Sequence, residues 1–240
     1  MLFIRKKIFS LVLFSSALIV LILVWNIVLS GYDLISKNAD HRVIKKIQTD
    51  APKVALTFDD GPHPCTTLKI LSILQQKQVK ATFFVLGEKA ESYPKLIEQI
   101  NKDGHELSNH GYSHAYFSNL SEAKLKQEIL ATEKLIANIS GKKPVLLRPP
   151  GNYYNSRSVA VANELGYIFV LWSIDTRDWS NVSVNDILHE VEKARPGDII
   201  LLHDGRVRSK TVEALPIIID TLQSKGYQLV TLSDLLLSCQ

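Results

Sequence analysis

From residue 53 onward, short apolar runs alternate with longer stretches whose apolar residues recur every three to four positions. The short runs read as buried strands and the long ones as amphipathic helices. Strands are predicted at 54–58, 81–86, 105–109, 145–147, 167–173, 198–202 and 228–231. Helices are predicted near 66–77, 88–102, 121–139, 155–165, 183–194 and 209–224. The helix at 121–139 is the plainest: Ser121 can cap it, and Leu125, Ile129 and Ile136 repeat at helical spacing. Gly141, Gly166, Gly197 and Gly226 punctuate helix-to-strand connections. Seven strands alternating with helices imply a parallel α/β architecture, either an open doubly wound sheet or a barrel.

The first 32 residues follow another pattern. Arg5, Lys6 and Lys7 precede an uncharged run over 8–32 in which Leu, Ile, Val and Phe dominate. These 25 residues are enough, as a helix, to cross a hydrocarbon core of roughly 30 Å. The basic cluster before the run places residues 1–7 in the cytoplasm and the rest outside. A cleaved signal peptide would have an apolar core of about 7–15 residues and a small-x-small site. Here the run is longer, and Val28-Leu29-Ser30 is a poor cleavage site. The expected organisation is therefore a transmembrane signal-anchor at 8–32, a polar linker at 33–52 and one catalytic domain at 53–240. Secretion after signal cleavage is the alternative.

The formal charge of +4 changes little in this picture. Without Arg5, Lys6 and Lys7, 25 basic side chains face 24 acidic ones, a net of +1. Such a balance points away from nucleic acid and from a basic membrane patch. Cys65 and Cys239 are too few for a disulfide framework and are expected as free thiols.

Five polar clusters each follow an apolar run: Thr57-Phe58-Asp59-Asp60-Gly61, His110-Gly111-Tyr112-Ser113-His114, Arg148-Pro149-Pro150-Gly151-Asn152, Asp175-Thr176-Arg177-Asp178-Trp179 and Leu201-Leu202-His203. Adjacent carboxylates leaving a strand point in different directions, so Asp59 and Asp60 can take different tasks. Alone, Asp-Asp-Gly is more often a solvated turn. His110 and His114, four apart, face one side of a helical turn and have a zinc-ligand spacing, although two surface histidines would also fit. With an aspartate they make three ligands and leave positions open, as catalytic rather than structural zinc sites do. Arg148 leaves a buried strand, and Pro149 and Pro150 stiffen the loop after it. Trp179 either stacks on a sugar ring or is core. A lone histidine such as His203 is usually a satisfied core residue, but its place at a strand end favours chemistry. Together the clusters are the inventory of a metal-assisted hydrolase.

The set and its order, from about residue 53 to 236, resemble the polysaccharide deacetylase family (NodB-homology, carbohydrate esterase family 4). That resemblance implies an incomplete (β/α)7 barrel of parallel strands, with the clusters at the carboxyl strand ends where barrel active sites gather. It implies Asp59 as general base, and Asp60, His110 and His114 as ligands of one divalent metal, zinc first, with cobalt, nickel or manganese as alternatives. Arg148 would pair with Asp59, Asp178 would orient His203, and His203 of the Leu-x-His motif would be the general acid. Gly151 would offer its N–H to the oxyanion, and Trp179 and Leu201 would contact substrate. Two positions depart from the family pattern: Gly111 replaces a Ser or Thr, and Asn152 replaces a Gly. Asn tolerates positive φ better than other non-glycine residues. His63 is given no role, and His41, His105 and His189 read as structural or exposed. The implied activity is removal of N-acetyl groups from N-acetylglucosamine-type residues, with peptidoglycan as the first polymer because the domain is expected outside the cell. Chitooligosaccharides or another acetylated glycan are alternatives. A rival of a different class is an inactive glycan-binding module.

Overall fold

Side chains alternating between two buried faces of one strand set the architecture. The computed structural model describes residues 43–206 and 210–239. In β1 (Lys53–Gly61), Leu56 and Phe58 face the helices, and Phe58 stacks on Phe83 with ring centroids 5.0 Å apart. Ala55 faces the other way, among Phe84, Leu146, Val170 and Ile199. Thr57 and Asp59 continue the Ala55 face, because successive strand residues alternate sides.

The remaining elements follow in order. They are α1 (Thr66–Gln76), β2 (Thr82–Val85), α2 (Gly87–Ser92), α3 (Pro94–Lys102), β3 (Glu106–Asn109), α4 (Glu122–Ser140), β4 (Leu146–Leu147) and α5 (Ser156–Glu164). Then come β5 (Ile168–Phe169), β6 (Ile174–Asp175), α6 (Val184–Val191), β7 (Ile199–His203), α7 (Thr211–Ser224), β8 (Gln228–Val230) and α8 (Leu232–Leu236). Seven strands run in the order β5-β4-β3-β2-β1-β7-β6, and β8 pairs with the start of β1. Every pairing within the sheet is parallel. This is the incomplete barrel expected from the sequence, not an open doubly wound sheet. Outward apolar residues pack under the helices, and the opposite face is filled by Ala55, Phe84, Leu146, Val170 and Ile199 with Leu232 and Leu235 of α8.

Several boundaries differ from expectation for identifiable reasons. The helix expected at 88–102 is two helices, because Pro94 starts a new one and Tyr93 before it leaves the helical region at φ −131°, ψ 55°. The strand expected at 167–173 shortens to β5, because Val170 bridges to Ile44, and Leu171 donates its N–H to the Ile44 carbonyl. A short β6 follows it. The helix at 122–140 forms as predicted, with Ser121 Oγ accepting from Lys124 N–H and Gly141 ending it at φ +72°.

Within the segment expected as a linker, Ile44 bridges to Val170 and Lys46 to Asp198. Residues 33–42, the expected membrane span at 8–32 and the basic N-terminus lie outside the described residues. Among the described residues no helix is long and apolar enough to cross a membrane. Cys65 and Cys239 are free and exposed.

Candidate active site

Alternation along β1 aims Asp59 at the interior and would aim Asp60 away from it. A slip in the β1–β2 register between Asp59 and Gly61, with φ +70° at Asp60, re-aims the second carboxylate. Both aspartates therefore serve one site. Asp60 Oδ1 lies 3.1 Å from His114 Nε2 and 3.5 Å from His110 Nε2. One ligand atom from each of these three residues falls within 4.8 Å of the others. Burial works to raise the Asp60 pKa, but the hydrogen bonds from His110 and His114 outweigh it and hold the carboxyl well below the usual range.

The histidine pair converges by a route other than the expected helical turn. His110 and His114 sit in an irregular loop after β3, and Gly111 at φ +78° and His114 at φ +63° bend the chain back. Glu128 of α4 holds that bend: its Oε2 accepts the N–H groups of Tyr112 and Ser113 at 2.8 Å each, and its Oε1 accepts the Ser113 hydroxyl at 2.7 Å. Ser113 is thus committed to Glu128. The conformation also explains Gly111, since any side chain there would be strained and its Cβ would meet the Phe117 ring at 3.1 Å.

These residues fit a divalent metal. His110 Nδ1–H donates to the Arg148 carbonyl at 2.8 Å, which fixes the tautomer and leaves the Nε2 lone pair facing Asp60 and His114. Two nitrogens and one carboxylate are an established donor set for zinc.

Arg148 is fully buried and spans the floor of the site. Its Nη1 donates to Asp59 Oδ1 and Thr57 Oγ1 at 2.8 Å each, and its Nη2 donates to the Leu171 carbonyl at 2.8 Å. The guanidinium lies over the Phe84 ring, 4.0 Å from its centroid. Burial pulls the Arg148 pKa down and Asp59 opposes it. Asp59 Oδ1 is occupied by this pair, while Oδ2 faces the histidines, 3.8 Å from His110 Nε2.

On the other side, β7 pairs with β1 so that His203 stands opposite Asp59. His203 Nδ1–H donates to Asp178 Oδ1 at 2.7 Å. Thr211 Oγ1 donates to Asp178 Oδ2. Burial lowers the His203 pKa, but Asp178, with Asp59 and Asp60, reverses this and raises it to about 9. Leu201, two residues earlier on the same face of β7, is buried.

The rim is aromatic. Trp179 is 46% exposed, which excludes the core reading. Tyr116 and Tyr153 stack with centroids 4.2 Å apart, beside Gly151. Asn152 takes positive φ, +64°, so the turn is kept without the family's glycine. His63 lies before α1, its Nδ1 accepting from Cys65 N–H at 3.2 Å, and His105 is buried with its pKa lowered to about 4 by burial. The structure thus gathers Asp59, Asp60, His110, His114, Arg148, Asp178 and His203 at the carboxyl ends of the strands. Thr57, inside the first cluster but given no role there, joins them through Arg148, and Lys89, Glu128 and Thr211 carried no sequence signal, because each comes from a point remote in the chain and reads as an ordinary polar residue.

Comparison with known proteins identifies the family. The polysaccharide deacetylase family model matches residues 46–170. A peptidoglycan-N-acetylglucosamine deacetylase of Bacillus cereus is 46% identical over 187 residues, covering 76% of this chain and 87% of that protein. The crystal structure of the peptidoglycan N-acetylglucosamine deacetylase Bc1960 is similar at TM-score 0.78 and 36% identity, covering 82% of this chain and 93% of that one. BA3943 of Bacillus anthracis, a pseudoenzyme of the same esterase family, is similar at TM-score 0.78 and 27% identity, covering 84% of this chain and 71% of that one. Likeness of fold therefore does not by itself carry activity; the site residues must.

Proposed function

The chain belongs to the polysaccharide deacetylase family, and we propose that it hydrolyses N-acetyl groups of N-acetylglucosamine-type residues in a cell-envelope polysaccharide, peptidoglycan foremost. The observation that carries this reading is the convergence of Asp60, His110 and His114 between two buried pairs, Asp59–Arg148 and Asp178–His203. The choice of polymer rests on the Bacillus cereus relative. An inactive glycan-binding module is disfavoured because no ligand, base or acid is missing.

Each group has one task in this mechanism. Asp60, His110 and His114 would hold a divalent ion, zinc first, whose chemistry there is Lewis acidity toward a water and an acyl oxygen. Asp59, held by Arg148 through Oδ1, accepts through Oδ2 a proton from the water that attacks the acetyl carbonyl. The Gly151 N–H donates to the developing oxyanion. His203, kept protonated by Asp178, gives its proton to the departing sugar nitrogen. Water and amide become acetate and a free amine. Leu201 and Trp179 flank the sugar.

A position of the domain outside the cell is supported by Arg5, Lys6 and Lys7 and the uncharged run at 8–32. Added protease should reach it in protoplasts with intact membranes, and mature protein beginning near residue 31 would replace the anchor with a cleaved signal. The decisive assay is acetate release from peptidoglycan and from chitooligosaccharides, with and without chelator. Chelator-sensitive release from peptidoglycan supports the reading. Release from chitooligosaccharides alone replaces the polymer, and no release from either by metal-loaded protein favours the binding module.

A further inference from the structure

Of the two proposed ligands with positive φ, Asp60 and His114, Asp60 is the one that lies in a strand. It interrupts the alternation of β1 at φ +70°, a conformation a non-glycine residue keeps only when its surroundings impose it. One contact falls on its carbonyl oxygen. Lys89, on α2, donates from Nζ to the Asp60 carbonyl at 2.7 Å and to the Gly205 carbonyl at 3.4 Å. Two carbonyl oxygens thus converge on one half-buried ammonium, where without it their negative ends would face each other.

The opposite side of Asp60 is closed as tightly. A Cβ on Gly205 would lie 2.2 Å from the Asp60 carbonyl oxygen and 2.6 Å from the Asp60 Cβ. A Cβ on Gly61 would lie 2.1 Å from Asp204 Oδ2, and that oxygen is fixed by the Thr67 hydroxyl at 2.5 Å. The loops leaving β1 and β7 therefore interlock, one carrying Asp60 and the other following His203. Lys89 joins their backbones, beside the ion pair of Arg206 Nε with Asp60 Oδ2 at 3.7 Å.

We infer that Lys89 is a positioning residue for the metal centre: its ammonium fixes the re-aimed backbone of Asp60 and ties it to the loop after His203. Lys89 hydrogen-bonds the backbone of a ligand, not its carboxylate, so it acts on metal affinity through Asp60. Groups that orient metal ligands typically change affinity by about 10–100-fold when removed. The inference rests on reading Asp60, His110 and His114 as ligands.

The test compares parent, Lys89→Met and Lys89→Arg chains, stripped of metal, titrated with zinc or cobalt against a chromophoric chelator. Circular dichroism of the metal-free forms monitors folding. Lys89→Met should weaken binding about 10-fold or more, and Lys89→Arg, which keeps charge and donors, should stay within about threefold of the parent. Activity lost by Lys89→Met should return when metal is raised in proportion to the weakened affinity. Equal affinity in Lys89→Met and parent overturns the inference, as does equal weakening in both variants. If Lys89→Met does not fold, Lys89→Gln takes its place, and failure of both to fold assigns Lys89 to the fold alone. A parent chain that binds no divalent ion would instead sink the metal reading itself, so the two failures are distinguishable.

Discussion

Asp178 holds His203 at two points: Oδ1 accepts from the imidazole Nδ1 at 2.7 Å, and Oδ2 accepts the backbone N–H of His203 at 2.7 Å. The first contact charges the ring and the second fixes where it stands. Burial alone would push the His203 pKa below the ordinary 6.5, yet Asp178 and the two nearby carboxylates raise it to about 9. Proton binding at His203 therefore strengthens the fold below pH 6.5, and that contribution disappears as pH rises through about 9. A general acid is lost over the same interval, so activity should fall as pH rises through about 9. Asp178→Asn should move this alkaline limb to lower pH and cut kcat by about 10²–10⁴-fold. An unmoved limb in the pH–rate profile would assign it to another group.

Asp59→Asn tests the base and the buried pair together. The metal ligands stay in place, so metal affinity should remain near that of the parent. The rate should drop about 10²–10⁴-fold. Arg148 would also lose the counter-charge it bonds, and leaving a buried charge unpaired costs about 3–5 kcal/mol, which denaturant unfolding should register. A metal-loaded variant with near-normal turnover would show that a different group takes the proton.

Metal removal should abolish acetate release but leave the chain folded, because the apolar clusters under the helices and inside the barrel do not include the site. Metal at about 100-fold over Kd should then stabilise the protein by about 2.7 kcal/mol, visible as a rise in Tm. His114→Ala should lose most of that rise and most of the activity. If chelated protein keeps its full rate, metal-assisted hydrolysis is wrong.

Glu128 is expected to matter as much as a ligand's neighbour, although it lies outside the five clusters. Glu128→Ala leaves the N–H groups of Tyr112 and Ser113 and the Ser113 hydroxyl without their acceptor. Metal affinity should fall about 10-fold or more, with a stability loss of about 1–3 kcal/mol. Glu128→Gln keeps an acceptor and should lie between. Unchanged metal affinity in Glu128→Ala would mean that the loop holds itself.

What the sequence revealed and what it hid divide along physical lines. Asp59 and His203 were legible because each ends a continuous apolar run, and a polar side chain there must lie at a strand mouth. The aim of Asp60 was not, since alternation alone turns it outward and only the register slip brings it back. His110 and His114 do come together with Asp60, but not through the expected helical turn, because Gly111 and His114 adopt positive φ. Lys89 and Glu128 were illegible for a simpler reason. Their partners are backbone groups 29 and 16 residues away, which no local pattern announces.

Trp179 separates substrate binding from chemistry. Its ring is exposed while its neighbour Asp178 is fully buried, so one dipeptide faces two environments. Trp179→Ala should change stability by less than about 0.5 kcal/mol, as surface substitutions usually do. An aromatic contact is worth about 0.5–1.5 kcal/mol beyond the area it buries, so KM should rise about two- to tenfold. The contact would exist in ground state and transition state alike, so kcat should hold. Asp178→Asn gives the opposite split, with kcat falling and KM moving little. Measuring both variants on one acetylated oligosaccharide series decides the matter. If Trp179→Ala lowers kcat and leaves KM unchanged at every chain length, the indole is not a sugar platform, and its exposure needs another partner.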